Sequence, residues 1–361
     1  MRARRIKAGV TALALAASVG LATVGTATSS QAAIGSNIKI GLSNSYAGNS
    51  WRQQMLSDFS KAANSAKSKG QIKSFSIVNS NNDATQQISQ LKAMILQGYN
   101  VIIIDAASPT ALNGVIAQAC KAKIKVVVFD SLTTSPCAYK IESNYVNYGT
   151  IETNFVAKQL ANTGNVLEIR GVAGTSVDVD ISKGIHSVVA QHAGMKIVGS
   201  VNGNWSTTVS QQAVTGIIPS LPKVDAVVGQ GGDGAGAVRA FQAANLPVPV
   251  TIMGNRGDEL RVWKELVTAN PKYKTMSISS MPGMSTVAFW VAYILATGKS
   301  VPKSVFAPLL QIDSNHLDAW IKATPPTGVS SKVFTLAETQ SLVNFAIAKK
   351  PKYVVYDLPS K

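Results

Sequence analysis

The chain has 361 residues, 46% of them hydrophobic and 14% charged, which is enough apolar material for two ordinary domains with their own cores. A mean hydropathy of +0.14 excludes a polytopic membrane protein. There are 34 Lys and Arg against 18 Asp and Glu, but the basic residues are scattered, with no stripe and no interleaved aromatics, which argues against a nucleic-acid partner.

The first 32 residues read as a secretory signal peptide. Arg2, Arg4, Arg5 and Lys7 form a positive start. Small and apolar residues follow from Ala8 to Gly25, and Ser30-Gln31-Ala32 supplies the small residues of a cleavage site before Ala33. No Cys lies near that site, so a lipoprotein anchor is not expected. Loss of the leader removes four basic residues and leaves an excess of 12 positive charges, read here as serving solubility or a weak affinity for anionic envelope surfaces.

From residue 36 onward, short β-rich runs alternate with helical runs. The predicted order is strand Ile38–Leu42, helix Ser50–Lys69, strand Ser74–Val78, a helix to Gln97 opened by Asp83 with Gln86 at its third position, and strand Val101–Ile104. Helix Thr110–Lys121 and strand Val126–Phe129 complete the first run. Cys120 and Cys137 are the only cysteines, and an even count in an exported chain favours a disulfide over two free thiols. After Asn144 the pattern restarts: helix Tyr148–Thr163, strand Val166–Ile169, a helix from about Ile181 and strand Ile197–Val201. Helix Thr207–Ser220, strand Ala226–Val228, helix Ala235–Ala243, strand Val250–Met253 and helix Asp258–Ala269 follow. Continuous apolar strands separated by helices mean parallel sheets covered on both faces, and two such runs mean two doubly wound, Rossmann-like α/β domains. Residues 36–143 plus 281–311 are expected in one lobe and 144–280 in the other. Three crossings near 143–147, 278–282 and 310–313 join them, and 312–361 form a C-terminal extension with a helix over Leu336–Lys349.

Ligands of doubly wound sheets sit beyond the carboxyl ends of the strands. That rule nominates Asn44, Tyr46, Asn49, Trp51 and Arg52 after the first strand, Asp105 after the third, and Asp130 and Ser131 after the fourth. In the second half it nominates Asp178, Asp180, Asn204, Trp205, Gln230, Asp233, Asn255 and Arg256. Carboxamides and carboxylates beside two indoles suit a sugar, whose hydroxyls need hydrogen bonds and whose C–H face needs an aromatic plane. Asp178 and Asp180, two apart on an extended loop, share a side; they either face a ligand or are solvated surface carboxylates. Gly229-Gln-Gly-Gly-Asp-Gly234 matches G-x-G-x-x-G, yet it lies late in the chain and among further glycines. It reads as a turn needing close backbone approach rather than as a dinucleotide cofactor site. No cofactor is expected. No nucleophile elbow, zinc motif or P-loop is present, and His186, His192 and His316 have no ligand-like spacing, so neither an enzyme nor a metal site is expected.

Several stretches together resemble the periplasmic sugar-binding proteins of the ribose- and galactofuranose-binding type: IKIGLSNSYAGNSWRQQM, QQISQLKAMILQGYNVIIIDAASPTAL, IKVVVFDS and LEIRGVAGTSVDVDISKGI. The resemblance covers roughly residues 37 to 312. It implies the type 1 periplasmic binding protein fold and a cleft in which Trp51 and Trp205 sandwich a ligand. Asp105 and Asp130 would make polar contacts, Asn144 would sit near the first crossing, and Gln230 would supply a carboxamide. Ser131 and Ile181 stand where the family has arginines, Arg256 where an Asp is common, and Ser280 where a Gln is common. Arg52 and Arg256 therefore either contact an anionic ligand or pair with Asp130, Asp105 or Asp233. The resemblance further implies a monomer that closes around a monosaccharide, polyol or sugar acid and delivers it to the membrane permease of an ABC transporter. The alternative is a clamp that presents its ligand to a chemoreceptor or sensor kinase.

Overall fold

The computed structural model describes residues 37–355; the expected leader lies outside them. The first lobe is built on a six-stranded parallel sheet. Its strands are β1 (Lys39–Asn44), β2 (Ser74–Asn79), β3 (Val101–Asp105), β4 (Lys125–Phe129), β5 (Tyr139–Glu142) and β11 (Ser304–Phe306), in the order β11-β5-β4-β3-β1-β2. Side chains alternate across a strand. Thus Ile102, Ile104, Val126 and Val128 face α2 (Ala84–Leu96) and α3 (Asn113–Lys121), whereas Val101, Ile103, Val127 and Phe129 face α1 (Ser50–Ser68) and α9 (Met284–Ala296). Both faces are buried, which is why these strands read as unbroken apolar runs.

The second sheet runs β7-β6-β8-β9, from β6 (Thr163–Arg170), β7 (Gly194–Asn202), β8 (Ala226–Val228) and β9 (Val250–Thr251), again all parallel. Helices α4 (Tyr145–Gln159) and α5 (Ser176–Val189) cover one face, and α6 (Thr207–Ile217) and α7 (Gly234–Ala243) the other. A Met253–Ser277 bridge continues this sheet into a three-stranded one, β10-β12-β13, made of Ser277–Ser280, Leu309–Ile312 and Val354–Val355. Helix α8 (Gly257–Ala269) precedes β10.

The chain passes between lobes at Ser143–Asn144, between β10 and α9, and at Ala307–Pro308. The third passage is earlier than expected because Leu309 and Leu310 already pair with Ser280 and Ser279 of β10. The first and third passages are bonded to each other, Ser143 Oγ donating to the Ala307 carbonyl at 3.0 Å.

Two further differences from expectation matter for the site. Helix α5 begins at Ser176, capped by Thr175, so Asp178 and Asp180 lie in its first turns and not on an extended loop. Strand β5 was not expected. It is short, and it follows the loop held by a disulfide between Cys120, near the end of α3, and Cys137, whose Cα atoms are 6.5 Å apart. Closing a loop of this length stabilises by about 3 kcal/mol in the chain-entropy model.

Candidate functional site

The carboxyl ends of both sheets meet at a small cavity walled by both lobes. The first lobe supplies Asn49, Trp51, Arg52 and Asp130; the hinge supplies Tyr145, Tyr148, Ser279 and Ser280. The second lobe supplies Val177, Ile181, Trp205, Gln230, Gly231, Gly232, Asn255 and Arg256, and the C-terminal extension supplies Val329. A bond from the Leu132 N–H to Ser176 Oγ, 3.1 Å, bridges the two lips, so the lobes are closed on one another.

Arg52 organises the first wall. Asn49 caps α1 by accepting the Arg52 N–H at 2.9 Å, which places the side chains of Trp51 and Arg52 at the helix start, under the sheet's carboxyl edge. The Arg52 guanidinium pairs with Asp105 and, at 3.0 Å, with Asp130. It also reaches Asn44 Oδ1 and Ser131 Oγ. Burial pulls its pKa below the ordinary arginine value, and Asp130 opposes this. Its partners correct two expectations. Asp105 does not line the cavity; it is completely buried behind Arg52 as its counter-ion. Asn44 also lies behind the wall, donating to the Tyr46 carbonyl and Asn79 Oδ1. Ser131, standing where the family has an arginine, receives Arg52 instead, so the guanidinium beside Asp130 comes from α1. Asp130 has φ +56, a left-handed conformation that Asp tolerates. Its Oδ1 accepts from Tyr145 Oη.

Trp51 is nearly buried, and its indole N–H donates to the Ser280 carbonyl at 3.0 Å, tying the first lobe to the second passage. Trp205, half-buried with φ +54, lies against Gly171, where a Cβ would meet the ring at 2.3 Å. Both indoles line the cavity.

Around the cavity, two buried polar atoms have no hydrogen-bond partner, and the Arg256 guanidinium stands beside them, attracted to the buried Asp233 and Glu259. Gln230 donates through Nε2 to Asp178 at 3.0 Å, which leaves Oε1 unbonded. The Tyr148 hydroxyl is buried and unbonded. The Arg256 guanidinium has no ion pair within 4 Å and no hydrogen bond among the described residues. It lies over Gly232, where a Cβ would be 2.2 Å from Cζ. The glycine run is thus explained: it makes room for Arg256, and its Gly232 and Gly234 N–H groups donate to Glu259 at 3.0 and 3.1 Å rather than to a phosphate.

The remaining nominated residues lie elsewhere. Tyr46 and Asn144 are outside the cavity lining; Asn144 caps α4 by accepting the Asn147 N–H. Asp233 is buried beneath the wall and accepts the Gln230 N–H at 3.1 Å. Asp178 is buried and does not line the cavity: it holds Arg170 through two bonds of 2.8 and 2.6 Å. Tyr145, Tyr148, Val177, Ser279 and Val329 were not nominated. The first two and Glu152 share a face of α4 at spacings of three and four, a signal the sequence carries.

Glu152 is wholly buried, and burial pushes its pKa well above the carboxylate range, with the Gly229 N–H opposing and Glu168 and Asp233 adding to the shift. A raised folded-state pKa contributes stability that is present below the ordinary carboxyl range and lost as pH rises through the folded value. Glu152→Gln is therefore expected to match the parent near pH 4 and to gain on it progressively toward alkaline pH, by ~1–3 kcal/mol. Melting temperatures across that range check it; a constant difference would assign the effect to packing.

Two doubly wound lobes closed on a polar, aromatic-walled cavity at the carboxyl ends of their strands define a solute clamp. A sequence model of the periplasmic binding protein domain matches residues 40–300. The chain belongs to that family, whose members hold and release a solute without transforming it. It is similar to the xylitol-binding protein of Mycolicibacterium smegmatis, 26% identical over 67% of this chain and 69% of that one. It is also similar to the ribose import binding protein RbsB of Salmonella typhimurium, 26% identical over 46% of this chain and 57% of the relative. An ABC transporter solute binding protein from Thermobispora bispora superposes with a TM-score of 0.83 at 34% identity, covering 90% of this chain and all of the other.

Proposed function

We propose that the protein is the exported solute-binding component of an ABC importer and that it takes a monosaccharide, a related polyol or a sugar acid between Trp51 and Trp205. The observation that carries this reading is the pairing of two indoles with two buried, unpartnered polar atoms, Tyr148 Oη and Gln230 Oε1, and with the Arg256 guanidinium around one cavity. Buried polar groups without partners are costly, and a polyhydroxylated solute offers each of them a hydrogen bond. Xylitol and ribose, named for two relatives, are solutes of this kind. The ligand shifts the equilibrium toward the closed form because only there does it touch both walls. The leader directs export, the mature chain acts as a monomer, and its closed face meets the membrane permease.

A thermal-shift screen over pentoses, hexoses, polyols and sugar acids tests this. A ligand at a hundred times its Kd stabilises by about 2.7 kcal/mol, and the hit is expected to bind at least tenfold more weakly to Arg256→Ala. A screen in which no member of these classes raises the melting temperature would remove the reading.

A further inference from the structure

The segment Thr324–Phe334 forms no helix or strand of its own, yet it is anchored on both lobes. It leaves α10 (Leu317–Ala323), which packs on α8 of the second lobe, and enters α11 (Leu336–Ile347), which packs on α9 and β11 of the first. On the second-lobe side, the Gly257 N–H donates to the Gly328 carbonyl at 3.0 Å and the Ser330 N–H to the Asn255 carbonyl at 2.8 Å. Arg261 donates to the Thr324 carbonyl at 3.0 Å. On the first-lobe side, Ser331 Oγ donates to Asp58 at 2.7 Å and accepts the Gly283 N–H at 2.9 Å. The Trp290 indole N–H donates to the Phe334 carbonyl at 3.0 Å. Between the two sets of bonds, Val329 faces the ligand cavity.

Both anchorages depend on a missing side chain. A Cβ on Gly257 would stand 1.9 Å from the Pro325 carbonyl oxygen, and one on Gly283 would stand 1.7 Å from that of Lys332. Real Cβ atoms do not approach backbone so closely, so the strap and the two lobes meet at positions where only glycine fits.

We propose that Thr324–Phe334 is a fourth interlobe passage that limits how far the lobes part and that sets Val329 as a specificity-determining wall of the ligand site. A strand of chain bonded at both ends cannot lengthen without giving up one set of bonds. The ligand-free protein is thereby held near the closed geometry, and less of the binding free energy is spent on closure. The inference rests on the lobe movement assumed for import. The test therefore reads lobe separation without ligand and ligand affinity separately.

Spin labels or fluorophores, one on each lobe, report the separation. Gly257→Ala and Gly283→Ala are expected to widen the ligand-free distance and to weaken the screen's best ligand about tenfold. Gly114→Ala, at a helix position with no atom within 4 Å of the added carbon, is expected to change neither. If an alanine variant fails to fold, Ser331→Ala, which removes the bonds to Asp58 and Gly283 without adding an atom, takes its place. It is expected to give the same widening. Val329→Phe is expected to leave the distance alone and reduce affinity at least tenfold, by filling the cavity. Equal ligand-free distances in the parent, Ser331→Ala and the glycine variants that fold would overturn the strap, and unaltered affinity in Val329→Phe would overturn its role in specificity. A parent whose lobes do not move on adding ligand would instead count against hinge closure itself.

Discussion

Arg52→Met is expected to destabilise the protein by about 3–5 kcal/mol and to abolish ligand binding. The size follows from what is left behind. Asp105 is wholly buried and Asp130 nearly so, and Arg52 is the cation that pairs with both. Removing one member of a buried ionic group costs far more than the group contributes, because uncompensated charge stays in a medium that solvates it poorly. Urea unfolding measures the loss. Adding Asp105→Asn to Arg52→Met is expected to recover a large part of it, since the deepest carboxylate no longer needs a counter-charge. Binding should not recover, because Asp130 still lacks the guanidinium that orients it. A single variant as stable as the parent would show that the two aspartates do not depend on Arg52.

Trp51 is the second position of large effect, and it separates packing from hydrogen bonding. Its indole sits in the first-lobe core, lies beneath the Arg52 guanidinium at 5.2 Å, faces the cavity and reaches the Ser280 carbonyl. Trp51→Ala removes all of these and is expected to cost about 3–5 kcal/mol, together with ligand binding. Trp51→Phe keeps an aromatic plane but strands a buried carbonyl. It is expected to cost roughly 1–3 kcal/mol and to retain part of the affinity. The two unfolding midpoints and two titrations form one test. Equal affinity in Trp51→Ala and the parent would move the ligand away from this wall.

The sheets were legible because their strands are buried on both faces, so Val101–Ile104 and Val126–Phe129 show as unbroken apolar runs before turn residues. The first-lobe wall was legible for a related reason: strand ends are where a doubly wound sheet exposes its chemistry, and Trp51, Arg52 and Asp130 stand there. What escaped was whatever depends on a distant partner. Asp105 and Asn44 occupy strand ends too, but Arg52 turns them into its supports. Asp178 belongs to Arg170 for the same reason. Strand β5 is four residues long and takes its place from β4 and β11. Val329 had no local signal at all, since a strap with neither helical nor alternating periodicity is positioned only by bonds made across the molecule.

The disulfide lies wholly within one half of the clamp, joining α3 to the loop ahead of β5. Oxidation therefore hardens that half alone and places no covalent cross-link across the pivot. Reduction would loosen one jaw's construction and leave the bonds between the jaws untouched, so grip and sturdiness answer to different parts of the chain.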